Sequence, residues 1–140
     1  DLVRSRGLGD VYKRQGPITL YYGDEYADLS RNSIGAQKDN IARTTGHLEP
    51  RNPKEEALKN YISDAMRFRA DNPAMWRGDA TFYTFKPNGG GEVLVVTKTD
   101  VESGNKVVVI FSDVDVEVPV AGVDAPVKVS AWVPEFVKVS

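Results

Sequence analysis

Apolar and polar positions along this chain change rhythm three times. Ile18 to Tyr22 is an unbroken run of β-branched, aliphatic and aromatic residues, the pattern of a short strand buried on both faces. Tyr26 to Pro50 is polar and rich in Gly, Asn, Asp, Ser and Thr, which predicts a long loop; loops of this length in compact domains are usually functional or disordered. Leu58, Tyr61, Ile62, Ala65 and Phe68 then recur at spacings of three and four, one apolar face of a helix. Asn52 is placed to cap that helix, Pro53 suits its first position and Glu55 can close a capping box. Pro73 should end it near Asp71 and Asn72.

From Ala80 onward the period falls to two. Thr81–Phe85, Glu92–Thr99 and Lys106–Ser112 are predicted strands, separated by turns at Pro87–Gly91 and Glu102–Asn105. Val114–Val120, Pro126–Val133 and Pro134–Val139 alternate likewise. Short strands at regular spacing predict a small antiparallel sandwich or Greek key.

Composition narrows the function classes. The chain has 140 residues, the size of one ordinary domain or two small ones. With 41% hydrophobic residues it can form a packed core. A net charge of −2 gives no field to attract nucleic acid or an anionic membrane. No apolar run reaches the roughly 18 residues of a membrane span. Cysteine is absent, which excludes disulfides and thiolate metal sites. Asp1–Gln15 is basic without sustained apolar periodicity; it reads as a non-native tail rather than as an anion-binding arm.

Candidate chemistry concentrates after the first strand. Gly23 lets the backbone turn sharply, and Asp24 and Glu25 sit at the strand's C-terminal end, where α/β sheets and barrels place ligand sites. Arg43, in the loop, presents a fork of donors that can pin the loop by pairing with Asp24, Glu25 or Asp39. His47 is the only histidine and has no second histidine to complete a metal site or relay, so it is assigned no role. Gly89-Gly90-Gly91 lacks the Gly-Lys-Ser/Thr ending of a phosphate loop and reads as a hairpin turn. Trp76, Trp132 and Phe136 suit either a glycan platform or, more in keeping with large aromatics, core and interface packing.

Gly16-Pro17-Ile18-Thr19-Leu20-Tyr21-Tyr22-Gly23-Asp24-Glu25 resembles the eighth barrel strand of the α-amylase family of glycoside hydrolases, where a run close to G-x-P-x-x-Y-Y-G-D-E recurs. Here proline follows the first glycine directly. Asp39-Asn40-Ile41-Ala42-Arg43-Thr44 resembles the N-A-R-T-like loop after that strand, although Thr45-Gly46-His47-Leu48 replaces the family's continuation. Arg69–Gly78 resembles R-x-x-N-P-A-L-x-x-G, which leads the family's chain from its last barrel helix into a terminal β domain. Val11–Gln15 resembles the end of a translated sequencing adapter.

The resemblance implies an α+β fragment: the last βα unit of a (β/α)₈ TIM barrel over 16–78, then a small antiparallel β-sandwich over 79–140. A whole barrel needs about 250 residues. The family's nucleophile, acid and stabilising carboxylate lie on strands four, five and seven, so all three would precede residue 16. The implied parent is a retaining hydrolase acting on α-glucosidic bonds in starch or maltodextrin, and this stretch alone is expected to be inactive. Arg43, Asp39 and Asp24 are the implied substrate-binding residues, with Glu25 and Tyr22 supporting. No cofactor is expected in the fragment, while the parent's family allows calcium. The implied partner is an α-glucan or maltooligosaccharide, and the implied setting leans towards secretion or the periplasm. A non-catalytic carbohydrate-binding β module, a fragment of a transglycosylating relative and a plain interaction sandwich remain the alternatives.

Overall fold

The computed structural model describes Tyr26 and residues 48–140. Their architecture is mixed helix and antiparallel sheet, an α+β arrangement. These residues fall into two compact units, one holding Tyr26 and 48–66, the other 67–140. The expected tail 1–15, the strand 18–22 and most of the loop 26–50 lie outside the described residues. So do Tyr22, Asp24, Glu25, Asp39, Arg43 and His47.

Helix α1 spans Pro53–Asp71. Its start follows from Asn52, whose Oδ1 accepts the N–H groups of Lys54 and Glu55, both at 3.0 Å. Glu55 closes the box in a modified way. Its carboxylate accepts Arg51 N–H at 2.7 Å and the Asn52 side-chain amide at 3.0 Å, so two orphan donors of the helix mouth and the cap itself are fixed together. No residue of α1 is fully buried. The expected apolar stripe Leu58, Tyr61, Ile62, Ala65 and Phe68 is half-buried throughout. Tyr26 is buried, and its hydroxyl donates to the carbonyl of Leu48 at 2.7 Å.

After α1 the chain makes a single further turn, α2 (Ala74–Arg77), and enters the sheet. Strands β1 (Asp79–Phe85), β2 (Val93–Thr99), β3 (Lys106–Ser112) and β6 (Glu135–Lys138) form one antiparallel sheet in the order β1-β2-β3-β6. Strands β4 (Val116–Val118) and β5 (Val127–Val129) pair as a separate two-stranded sheet. Register fixes which side chains share a face: Val95 pairs with Ile110, Val96 with Val109, and Val109 with Phe136.

Both faces of the central strands are covered, which is why β2 and β3 read as continuous valine runs. On one face Val93, Val95, Val108 and Ile110 pack with Val118, Val120 and Val129 from the β4–β5 region. On the other, Val96, Val107 and Val109 pack against Ala74 and Met75 of α2, with Phe68 from the end of α1 and Phe136 alongside. The Phe68 and Phe136 rings lie 5.6 Å apart, tilted at 45°. Each buried valine contributes about 1.5–2 kcal/mol of transfer free energy, so these two layers are the main source of cohesion in 67–140.

Candidate functional site

The expected substrate-binding residues Arg43, Asp39 and Asp24 and the supporting Glu25 and Tyr22 all lie outside the described residues. What the structure does define is the junction where α1 gives way to α2 and the sheet. It holds three polar clusters that the sequence reading did not single out.

The first gathers on the carbonyl of Met75. Lys98, 1% exposed, donates its Nζ to that oxygen at 2.6 Å, and Arg69 Nη1 donates to it at 2.7 Å. Lys98 stands in β2 on the same face as Leu94 and Val96, because side chains alternate along a strand. Its side chain therefore runs beneath α2 to the orphan carbonyl of that short helix. Burial lowers the Lys98 pKa, and the neighbouring Arg69 charge lowers it further. Arg69 is itself lowered by burial.

The second cluster is amide-based. Asn105 Oδ1 accepts the buried Ala74 N–H at 3.1 Å, while its Nδ2 donates to Asn72 Oδ1 at 3.2 Å and to the Ser140 carbonyl at 3.0 Å. Asn72 Nδ2 in turn donates to the Phe68 carbonyl at 2.8 Å. One buried amide thus ties the end of α1, the start of α2, the β2–β3 turn and the chain's last residue.

The third is ionic. Arg77 reaches Asp100 and Glu102, each at 2.8 Å. Asp100 also accepts the Ser103 N–H at 3.2 Å and a short bond from the Ser103 hydroxyl. The Ser103 hydroxyl and then Arg77 hold its carboxyl below the ordinary aspartate range, against burial, which acts the other way. Arg77 lies over the Trp76 ring at 5.1 Å. Through Ser103 this carboxylate orders the β2–β3 turn, and through Arg77 it ties that turn to α2.

The three expected aromatics occupy different settings. Phe136 belongs to the core beside Phe68. Trp76 lies on α2 under Arg77. Trp132 is half-exposed, meets Phe111 edge-on at 5.9 Å and holds a left-handed backbone at φ 66°, an unusual conformation for a bulky residue. Its N–H donates to the Ser112 carbonyl at 2.8 Å. Among the described residues no group of His, Asp or Glu side chains could hold a metal ion, and no helix is long and apolar enough to cross a membrane.

Lys98 carried a readable signal: it is a charge on the inward parity of an apolar strand. Asn105 carried none, because its partners come from 31 to 35 residues away. No family model, curated protein or solved structure matches this chain.

Proposed function

We propose that this chain is the C-terminal part of a retaining glycoside hydrolase of the α-amylase family, acting on α-glucosidic bonds of starch or maltodextrin. The observation that supports this reading most is the packing of Arg69–Gly78. Arg69 holds the Met75 carbonyl. Asn72 holds Phe68 and Asn105. Ala74 is fully enclosed. Gly78 leaves no room for a side chain: a Cβ there would stand 2.6 Å from the Ala74 oxygen. These are the positions on which the resemblance to R-x-x-N-P-A-L-x-x-G rests, and there the chain passes from helix to antiparallel sheet.

On this reading residues 16–78 complete a barrel, and the two packed sheets are the family's terminal β-sandwich. Tyr22, Asp24, Glu25, Asp39 and Arg43 line the rim of the cleft. Retaining hydrolysis needs two carboxyl groups about 5 Å apart across the scissile bond. Asp24 and Glu25 are adjacent in sequence and would point to opposite sides of a strand, so they do not form that pair. The catalytic carboxylates belong to the preceding strands. The purified chain should therefore release no reducing sugar from soluble starch. Joined in frame to the protein encoded upstream of Gly16, it should do so, and Arg43→Ala should lower kcat/KM in that longer protein. An active isolated chain, or a longer protein inert on every α-glucan, would refute the reading.

The half-exposed Trp132 favours one alternative, a carbohydrate-binding β module. That alternative requires the isolated chain to bind maltooligosaccharide by calorimetry and to lose the binding in Trp132→Ala.

A further inference from the structure

We propose that β1 is a dimerisation edge, pairing antiparallel with β1 of a second copy of this chain so that two four-stranded sheets become one of eight strands. Among the described residues, strands β1 and β6 are the outer strands of the sheet. Strand β6 is short and carries Glu135 and Lys138 at its ends. Strand β1 is seven residues long, pairs with β2 without a bulge, and is exposed at every position but Phe85. Phe82 is 73% exposed on the α2 side of the sheet and Tyr83 53% exposed on the β4–β5 side.

Edge strands normally carry guards against pairing, namely lysine, proline, a bulge or an inward charge. From Ala80 to Phe85 this edge has none: the residues are Ala, Thr, Phe, Tyr, Thr and Phe. Among the described residues no backbone group bonds its outward N–H and C=O groups, which form an open ladder.

The sequence of this edge is complementary to itself. Antiparallel strands related by a two-fold axis normal to the sheet place residues of one face opposite residues of the same face. One such register pairs the whole strand. It sets Phe82 opposite its own counterpart, Thr81 opposite Tyr83, Ala80 opposite Thr84, and Asp79 opposite Phe85. No like charges meet. The apolar row Phe136, Val109, Val96, Phe82 then runs across the axis into its symmetry mate, and the two Tyr83 rings become diagonal neighbours within aromatic reach. A strand pair with these rings buries less than the roughly 800 Å² per partner of a standard interface, so the dimer should be weak and should form with rising concentration.

Sedimentation of the full chain from low to high micromolar concentration should show the mass rising from one chain towards two. Phe82→Lys, which sets two ammonium groups at the axis, should remain a single chain throughout, with the unsubstituted melting temperature in dilute solution. The absence of native cysteine allows a register test. Phe82→Cys should cross-link to a covalent dimer under mild oxidation, whereas Thr84→Cys, which faces Ala80, should not. A single chain at all concentrations would overturn the proposal and leave the edge to a strand of another protein. Dimerisation that survives Phe82→Lys, or equal cross-linking at both positions, would overturn it as well.

Discussion

Lys98 reaches the carbonyl of Met75 at 2.6 Å from a position almost wholly shielded from water, and Arg69 meets the same oxygen at 2.7 Å. Two cations on one carbonyl satisfy the end of α2 twice over, while the buried ammonium gives up its hydration for a single acceptor. Replacing a buried charge with an apolar side chain of similar volume is often neutral or stabilising. Lys98→Met should therefore raise unfolding free energy at neutral pH by on the order of 1 kcal/mol, with Arg69 still capping Met75. Denaturant titration of both proteins measures this; a loss of several kcal/mol would show that the ammonium is a net stabiliser.

The same residue sets an alkaline pH dependence. Burial, then the Arg69 charge, lowers the Lys98 pKa in the folded chain. Between that lowered value and the ordinary lysine value the unfolded chain binds more protons than the folded one. Stability contributed through this group accordingly rises with pH across that window and is lower below it. The difference in unfolding free energy between Lys98→Met and the unsubstituted protein should shrink as pH rises through the window. A constant difference would mean that the folded and unfolded pKa values coincide.

Aspartate 100 acts at the acid end with the opposite sense. Its carboxyl is held low, first by the Ser103 hydroxyl and next by Arg77. The unfolded chain then takes up the proton before the folded one. The stabilisation is complete above the ordinary aspartate value and is lost as pH falls through the folded value. Asp100→Asn should lower the melting temperature at neutral pH and flatten its fall on acidification. Thermal scans from neutral to strongly acidic pH would contradict this if the two proteins lost stability in parallel.

These clusters also show what was legible in the sequence. The α1 start was readable because Asn52, Pro53 and Glu55 act within four residues of one another. Strand Lys106–Ser112 was readable because its apolar run, Val107–Phe111, is unbroken and follows a turn signal at Glu102–Asn105. The expected strand Val114–Val120 shortens to Val116–Val118 for local reasons. Pro119 has no N–H to give a ladder, Val114 N–H turns to the Ser112 hydroxyl, and the Asp115 carboxylate accepts Ala131 N–H. The expected strand Pro126–Val133 likewise stops at Val129, because Trp132 turns into the left-handed region and bonds Ser112. Such side-chain and long-range claims on the backbone leave no mark on hydrophobic periodicity. Asp24 and Glu25 were legible as carboxylates ending an apolar strand, whereas cleft roles for Tyr22, Asp39 and Arg43 came only through resemblance; all five lie outside the described residues.

Asn105 is the residue whose loss should be felt furthest. Asn105→Ala removes the acceptor of a buried N–H at Ala74 and the donors to Asn72 and Ser140. Leaving buried groups unpaired costs about 1–3 kcal/mol each, so a loss of about 2–4 kcal/mol is expected. Asn105→Asp keeps the acceptor for Ala74 but turns the donor side into an oxygen facing two other oxygens, and it too should be destabilised. Hydrogen exchange at the Ala74 amide separates the two variants: faster exchange is expected in Asn105→Ala, with protection partly kept in Asn105→Asp. Equal protection in all three proteins would remove Asn105 from this role.

Glycines 78 and 90 distinguish two ways in which a glycine can be required. Gly78 has φ −73°, open to any residue, yet a Cβ there would stand 2.6 Å from the Ala74 oxygen, 2.8 Å from its Cα and 3.0 Å from the Thr99 carbonyl carbon. All three are backbone atoms, so nothing flexible can yield, and α2 would have to lift from β2. Overpacking of this kind costs typically 1–3 kcal/mol. Gly90, in the β1–β2 turn, is the converse: φ is +96° and nothing lies within 4 Å of an added Cβ. Only backbone strain opposes alanine there, about 1 kcal/mol. Gly78→Ala should therefore destabilise more than Gly90→Ala, and it should also disturb the Met75 carbonyl that Lys98 and Arg69 share. Chemical denaturation would rank the two, and amide shifts of Lys98 and Met75 would report the displacement. A Gly78→Ala protein as stable as Gly90→Ala, with those shifts unmoved, would mean that the junction has slack enough to admit a methyl group.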